Sequence, residues 1–229
     1  MSETRTDYPQ LLSLAVHELR TPASVVAGYL RMLRMDPSAP LSERQQKMVE
    51  EAEKSCGRIV ALIAELSEVG KLDGGTASVN TQSVDLFETI DAVAAAVHEG
   101  EDRDVRLALE GDASGAPVKG DPARLKTAFD AFFRAILREQ PSSCTVVVDR
   151  RCDMQDGSSR AVVVVAEASH VGKIHGAGRL PLDDKRGGLG LALPIAARVI
   201  ERHGGAVWSP DLPDVKAIVI ALPLSESAR

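Results

Sequence analysis

The sequence predicts an α-helical hairpin, paired with a second copy into a four-helix bundle and followed by an α/β sandwich. Three observations point there. Apolar residues recur at seven-residue spacing along two stretches near the start of the chain. A polar, Gly-rich run, Asp73-Gly74-Gly75-Thr76-Ala77-Ser78, then interrupts the pattern. Beyond it, helix-like and strand-like segments alternate. The 229 residues therefore divide into a helical domain over 1–75 and a second domain over 76–229.

The first helix is expected from about Pro9 to Met35. Leu12, Leu19, Val26 and Leu33 recur every seven residues, with Ala15, Pro22 and Tyr29 between them, as in a coiled-coil seam. Pro22 removes one backbone hydrogen bond and is expected to kink the helix. Asp36–Pro40 breaks it, and Ser42 is the expected N-cap of the next. There Met48, Ala52, Ser55, Ile59, Leu62, Leu66 and Val69 form a second seam. One such hairpin has little core, so two copies are expected to pair over residues 7–72 and bury both seams. A hairpin packed on the second domain is the alternative.

Past the boundary, 84–97 reads as a helix, 105–110 as a strand and 122–139 as a helix capped by Asp121. Residues 145–150 and 161–167 read as strands. A helix over 189–203 stops at Gly204-Gly205, and strands over 206–209 and 215–222 close the sheet.

Composition narrows the function. Hydrophobic residues make up 44% and charged residues 26%, as in an ordinary globular protein. Aromatics at 3% and a net charge of −6 argue against a nucleic-acid partner and against an anionic membrane surface. Cys56, Cys144 and Cys152 have neither zinc spacing nor the even number of a disulfide framework. The polar start MSETRTDYPQ lacks a signal peptide, and the longest apolar run, Ala161 to Ala166, is too short to cross a bilayer. A cytoplasmic location is expected.

The stretch Leu14–Pro22 carries chemistry. His17 and Thr21 are i and i+4 and share a helix face, while Glu18 follows the histidine directly. A neutral imidazole keeps one ring nitrogen with a free lone pair, a competent nucleophile toward phosphorus. With Leu12 at heptad position a, His17 falls at f and points to solvent. An ordinary exposed helix histidine is the bland alternative.

Residues 17–22, HELRTP, with their apolar flanks, resemble the phospho-accepting segment of two-component sensor histidine kinases, whose HisKA-type domain dimerises. The element order of the second domain resembles the family's ATP-binding domain, the Bergerat-type (GHKL) fold shared with gyrase- and Hsp90-type ATPases. The resemblance implies His17, Glu18 and Thr21 as catalytic residues, with Arg20 and Pro22 completing the motif. It also implies a homodimer, a response-regulator receiver domain as partner, and ATP with Mg²⁺. Because His17 stands so near the first residue, no sensory segment is expected before it. The input is then expected from a separate sensor protein or a small ligand.

The same resemblance locates a damaged nucleotide site. Gly188-Leu189-Gly190-Leu191 looks like the second glycine box, a phosphate cradle ahead of a helix, with Ala192 where the family has a third glycine. Gly120–Leu125 leads into the asparagine box, but Ala131 and Ala135 replace its asparagines. In the family the second asparagine supplies the oxygen that binds Mg²⁺, and alanine offers none. Glu139, or Arg138 and Arg134, stand nearby as substitutes. Glu167 takes the place of the adenine-reading aspartate, and Ser169 and Val171 replace glycines. Gly172–Gly187 is expected to form a mobile lid. ATP binding is therefore expected to be weak, with no metal ligand identified.

Four functions follow. The first is a phosphotransferase or phosphatase exchanging phosphoryl between His17 and a receiver aspartate. The others are an active autokinase, a non-catalytic dimeric docking module, and an ATPase outside signalling, which the intact HELRTP disfavours.

Overall fold

Apolar spacing and capping build two long helices first. The computed structural model describes residues 8–78, 80–155 and 158–225. The chain divides into two compact units, residues 1–77 and 78–229. Residues 1–7, assigned above to the helical domain, lie outside the described residues.

The first unit is a helical hairpin of α1 (Tyr8–Met35) and α2 (Glu43–Asp73). α1 continues through Pro22 as one helix. Ser42 caps α2 in a reciprocal box: Gln45 N–H donates to Ser42 Oγ, and Ser42 N–H donates to Gln45 Oε1 at 3.0 Å. Within one chain the hairpin closes along a stripe beside the seam that a second copy is expected to cover. Val16, Cys56 and Ile63 are buried, with Leu12, Ala23, Ala27 and Leu30 half-buried beside them. Cys56 Sγ lies 3.4 Å from Ala23 O, Leu12 Cδ2 would touch a Cβ at Gly70, and Arg34 pairs with Glu53 at 3.0 Å. α1 carries two adjacent apolar stripes, and the narrower one, rich in alanine, suits close approach of two helices. The other stays exposed in the single chain: Leu19, Val26 and Ile59 are 49%, 50% and 52% accessible.

The second unit opens with β1 (Gln82–Asp85), which pairs antiparallel with β3 (Pro117–Gly120). Between them lie α3 (Leu86–Ala94) and β2 (Val105–Gly111). α4 (Pro122–Glu139), β4 (Cys144–Gln155), β5 (Ser158–Glu167) and α5 (Val171–Ile174) follow. The chain ends with β6 (Gly178–Leu180), α6 (Ala192–Arg202), β7 (Ala206–Asp211) and β8 (Ala217–Pro223). A six-stranded sheet runs β2-β4-β5-β8-β7-β6. Only β2 and β4 pair in parallel, and α4 lies in the crossover such a pair requires.

α4 is the core of this unit. Leu125, Phe129, Phe132, Phe133 and Ile136 are fully buried, and the rings of Phe132 and Phe133 pack 6.1 and 6.0 Å from that of Phe129. It packs on α3, α6 and the sheet. On β5, Val163 and Val165 alternate with Val164 and Ala166, which join Ala217, Val219 and Ile174 of α5 in a second cluster. Both faces of the central strands are therefore covered, which explains the unbroken Val run.

The short strands β1, β3 and β6 were not expected from the sequence, and α3 is shorter than the 84–97 reading. The stretch expected as a lid holds β6, which pairs with β7. α6 starts at Ala192 rather than 189, because Gly187, Gly188 and Gly190 adopt φ of 65°, 62° and 63°, left-handed values a helix cannot include.

Two polar groups fix the start of α4. Asp121 accepts from the N–H groups of Ala123 and Arg124, each at 3.1 Å, and of Asn80 at 3.0 Å. His203, at the end of α6, sets Nδ1 2.6 Å from Val199 O, so Nδ1–H donates there and Nε2 accepts from Asp121 N–H at 2.9 Å. Burial pushes the Asp121 carboxyl up, but its three backbone donors and Arg124 outweigh that and hold it below the ordinary value. A lowered carboxyl stabilises the fold above its unfolded pKa and loses that contribution as pH falls through the folded one. Asp121→Asn should therefore flatten the acid limb of stability below about pH 4, measured as urea midpoint against pH. An unchanged acid limb would show that Asp121 does not hold this cap.

Candidate functional site

The residues singled out by the sequence fall in two groups, one in each unit. In the first unit, helical periodicity gathers Gln10, Ser13, His17, Thr21, Ser24 and Gly28 into one exposed strip along α1. His17 is the only aromatic group in it. Its side chain is 76% accessible, and Nδ1 lies 3.4 Å from Glu18 Oε1, itself 70% accessible. With the Nδ1 proton turned to Glu18, Nε2 carries the lone pair and faces solvent. Thr21 stands one turn on, exposed, and Arg20 and Pro22 are exposed beside it. An accessible nucleophile, an acid at its far nitrogen and a hydroxyl one turn away are thus displayed together.

The second unit holds the groups expected around a nucleotide, and its charged ones are engaged within the chain. Glu167 accepts from Ser169 Oγ at 3.0 Å and lies 3.6 Å from His170 Nδ1. Arg138 grips the Glu99 carboxylate through Nε and one terminal nitrogen, at 3.1 and 3.2 Å. Arg134 is shared between Glu99 and Asp130. Gly188 and Gly190 are exposed ahead of α6, and Leu191 stands at its N-cap without a side-chain cap. In the first turn of α6 the Ala192 N–H is directed to Leu189 O at 3.3 Å, and Pro194 has no N–H. That leaves few amides for a phosphate.

Ala131 and Ala135 lie one turn apart on α4, and Ala135 is fully buried. The turn before α6 covers it: a Cβ on Gly187 would stand 2.6 Å from Ala135 Cα and 2.9 Å from its carbonyl oxygen. Arg186, next to that glycine, points back along α4. Its Nε lies 3.1 Å from Glu139 Oε2, an ion-pair contact not aligned as a hydrogen bond, and its guanidinium also donates to Ala217 O. Gly187 N–H donates to the same carboxylate, and Lys216 Nζ donates to Glu139 O at 2.7 Å. Burial pushes the Glu139 carboxyl above its ordinary range, and Arg186, Lys216 and the Gly187 amide pull it back. The asparagine positions offer no side-chain oxygen to Mg²⁺, and the Glu139 carboxylate is engaged by Arg186. Glu139 was legible in the sequence as a substitute ligand. Arg186 and His203 were not, since a lone cation before glycines and a histidine after a helix carry no pattern of their own.

Residues 10–75 match the His Kinase A (phospho-acceptor) domain. Among curated proteins, the chain is 24% identical over 199 residues to the alginate biosynthesis sensor protein KinB of Pseudomonas aeruginosa, covering 84% of this chain and 33% of that one. It is 24% identical to the sensor protein DivL of Caulobacter vibrioides, covering 83% and 25%. With the probable sensor histidine kinase TcrY of Mycobacterium tuberculosis, identity is 27%, covering 94% and 46%. The chain thus spans a quarter to just under half the length of these relatives. The fold is that of full-length ShkA, solved with AMPPNP (TM-score 0.70, 20% identity, 96% of this chain and 47% of that one). It is also that of the histidine kinase ThkA, solved with the response regulator TrrA (TM-score 0.54, 15% identity, 96% and 63%). No helix among the described residues is long and apolar enough to cross a membrane.

Proposed function

We propose that this chain is a member of the two-component sensor histidine kinase family, as its phospho-acceptor match and its similarity to sensor kinases support, and that His17 exchanges a phosphoryl group with the aspartate of a response-regulator receiver domain. The protein works as a homodimeric phosphotransferase and phosphatase in the cytoplasm, where its three free thiols stay reduced. The observation that carries this reading is the fully presented imidazole on α1, with Nδ1 held toward Glu18. A receiver domain as partner follows from the family and suits a nucleophile standing clear of its own fold.

The chemistry needs little else, because phosphoryl transfer depends on in-line placement and charge more than on covalent work by the protein. Nε2 attacks the phosphorus of the aspartyl phosphate. The N–P bond forms as the P–O bond to the aspartate breaks, leaving a carboxylate, and the Nδ1 proton faces Glu18. The reverse step returns the group to an aspartate. Thr21, one turn along the same strip, orients a water for hydrolysis of the aspartyl phosphate.

The second stripe of α1 supports the dimer. Leu19, Val26, Leu33 and Ile59 remain half exposed in one chain, and burying apolar surface is worth roughly 25 cal/mol per Å². A second hairpin covers them. Val26→Glu should convert the dimer to a monomer by light scattering. A native mass for that variant would remove this stripe from the interface.

Labelling with a phosphorylated receiver domain, in parallel with γ-labelled ATP, tests the central step. His17 should take label from the receiver and not from the nucleotide, and His17→Ala should take none. Retained label in His17→Ala would sink the assignment. Glu18→Gln should slow acceptance by about 10²–10⁴-fold, the range for loss of a general base.

Thr21→Ala should leave acceptance at His17 intact while losing phosphatase activity toward the receiver. Equal loss of both activities would reduce Thr21 to a helix residue.

A further inference from the structure

The loss of the two asparagines is accompanied by a second change that the sequence does not display. Ala135 has no accessible surface, so the place of its missing side chain is not an open notch. The turn Asp183–Gly188 lies across it. That turn is braced from within: Lys185 N–H donates to Asp183 Oδ1 at 3.0 Å, Arg186 N–H to Asp183 O and Gly188 N–H to Lys185 O, both at 3.2 Å. It is braced from without by Arg186, whose side chain is 12% accessible and joins Glu139 on α4 to the Ala217 carbonyl on β8. Gly187 can approach α4 only because it lacks a Cβ and tolerates φ of 65°. The atoms it approaches are those of the Ala135 backbone.

We propose that this turn is a built-in occupant of the place where the family holds the nucleotide polyphosphate, with the Arg186 guanidinium replacing the metal as the positive charge beside Glu139. The site is closed by the chain itself. Restoring the asparagine at 135 therefore does not restore nucleotide binding, because that position has no accessible surface and the turn still lies across it. The closure is independent of phosphotransfer at His17, and it is tested without a receiver domain.

The experiment is hydrogen exchange of the full chain by mass spectrometry, with and without millimolar Mg²⁺-ATP, on the wild type, Ala135→Asn, Arg186→Met and Arg186→Lys. In the wild type, the amides of 186–188 within the 186–190 segment should exchange slowly, and nucleotide should not change them. Arg186→Met should speed that exchange by about tenfold or more, as loss of a charge-assisted tie predicts, and Arg186→Lys should recover part of the protection. Ala135→Asn should lower the thermal midpoint and gain no nucleotide protection. If Ala135→Asn does not fold, the two Arg186 variants carry the test alone. Wild-type exchange in Arg186→Met would overturn the proposal. So would nucleotide-dependent protection of 186–190 in the wild type, or a stable Ala135→Asn that binds Mg²⁺-ATP.

Discussion

The dry, close contact of α4 with everything around it is the constraint on which the second unit depends. One side of the helix drives three phenylalanines and their aliphatic neighbours into the core. Its start is pinned by Asp121 and by the His203 imidazole at the end of α6. Its far end is tied by Glu139 to Arg186 and by its last carbonyls to Arg103 and Lys216. A helix held at both ends and along its apolar side has little freedom to shift, so what covers Ala135 bears on what the unit can bind.

The hairpin is built on the opposite principle. Val16, Cys56 and Ile63, with Ala23 and Ala27 beside them, bring α1 and α2 together along a narrow seam, while Leu19, Val26, Leu33 and Ile59 stay about half exposed. Buried contacts within the chain thus leave both the nucleophile and a broad apolar stripe facing outward, one polar and one greasy, on different sides of the same helix. A helix with two exposed surfaces of different chemistry suits two kinds of protein contact at once.

Much of this was legible in the sequence, and the misses have physical causes. α1, α2 and α4 are long, periodic and capped by Ser42 and Asp121, so local rules and packing agree. The central strands were readable from their Val-rich runs. β1, β3 and β6 were not, because strands of three or four residues at an edge need no alternation. The seam of α1 was readable from its heptads, but the stripe beside it, along which the single hairpin closes, was not, since periodicity alone does not say which of two adjacent stripes closes first. His17, Glu18 and Thr21 were readable because one helix turn brings them together. The occupant of the nucleotide place was hidden, since Arg186 and Glu139 are 47 positions apart and only the fold unites them.

Gly187 and Ala135 also shape how this sequence can change. A side chain on the glycine strikes the α4 backbone at Ala135, and Ala135 itself has no accessible surface, so neither position has room to grow. Opening this place to a ligand has to change the turn, its cation and the helix in concert. Among descendants of this chain, the two positions should stay small together or change together, even as the exposed glycines beside them vary freely.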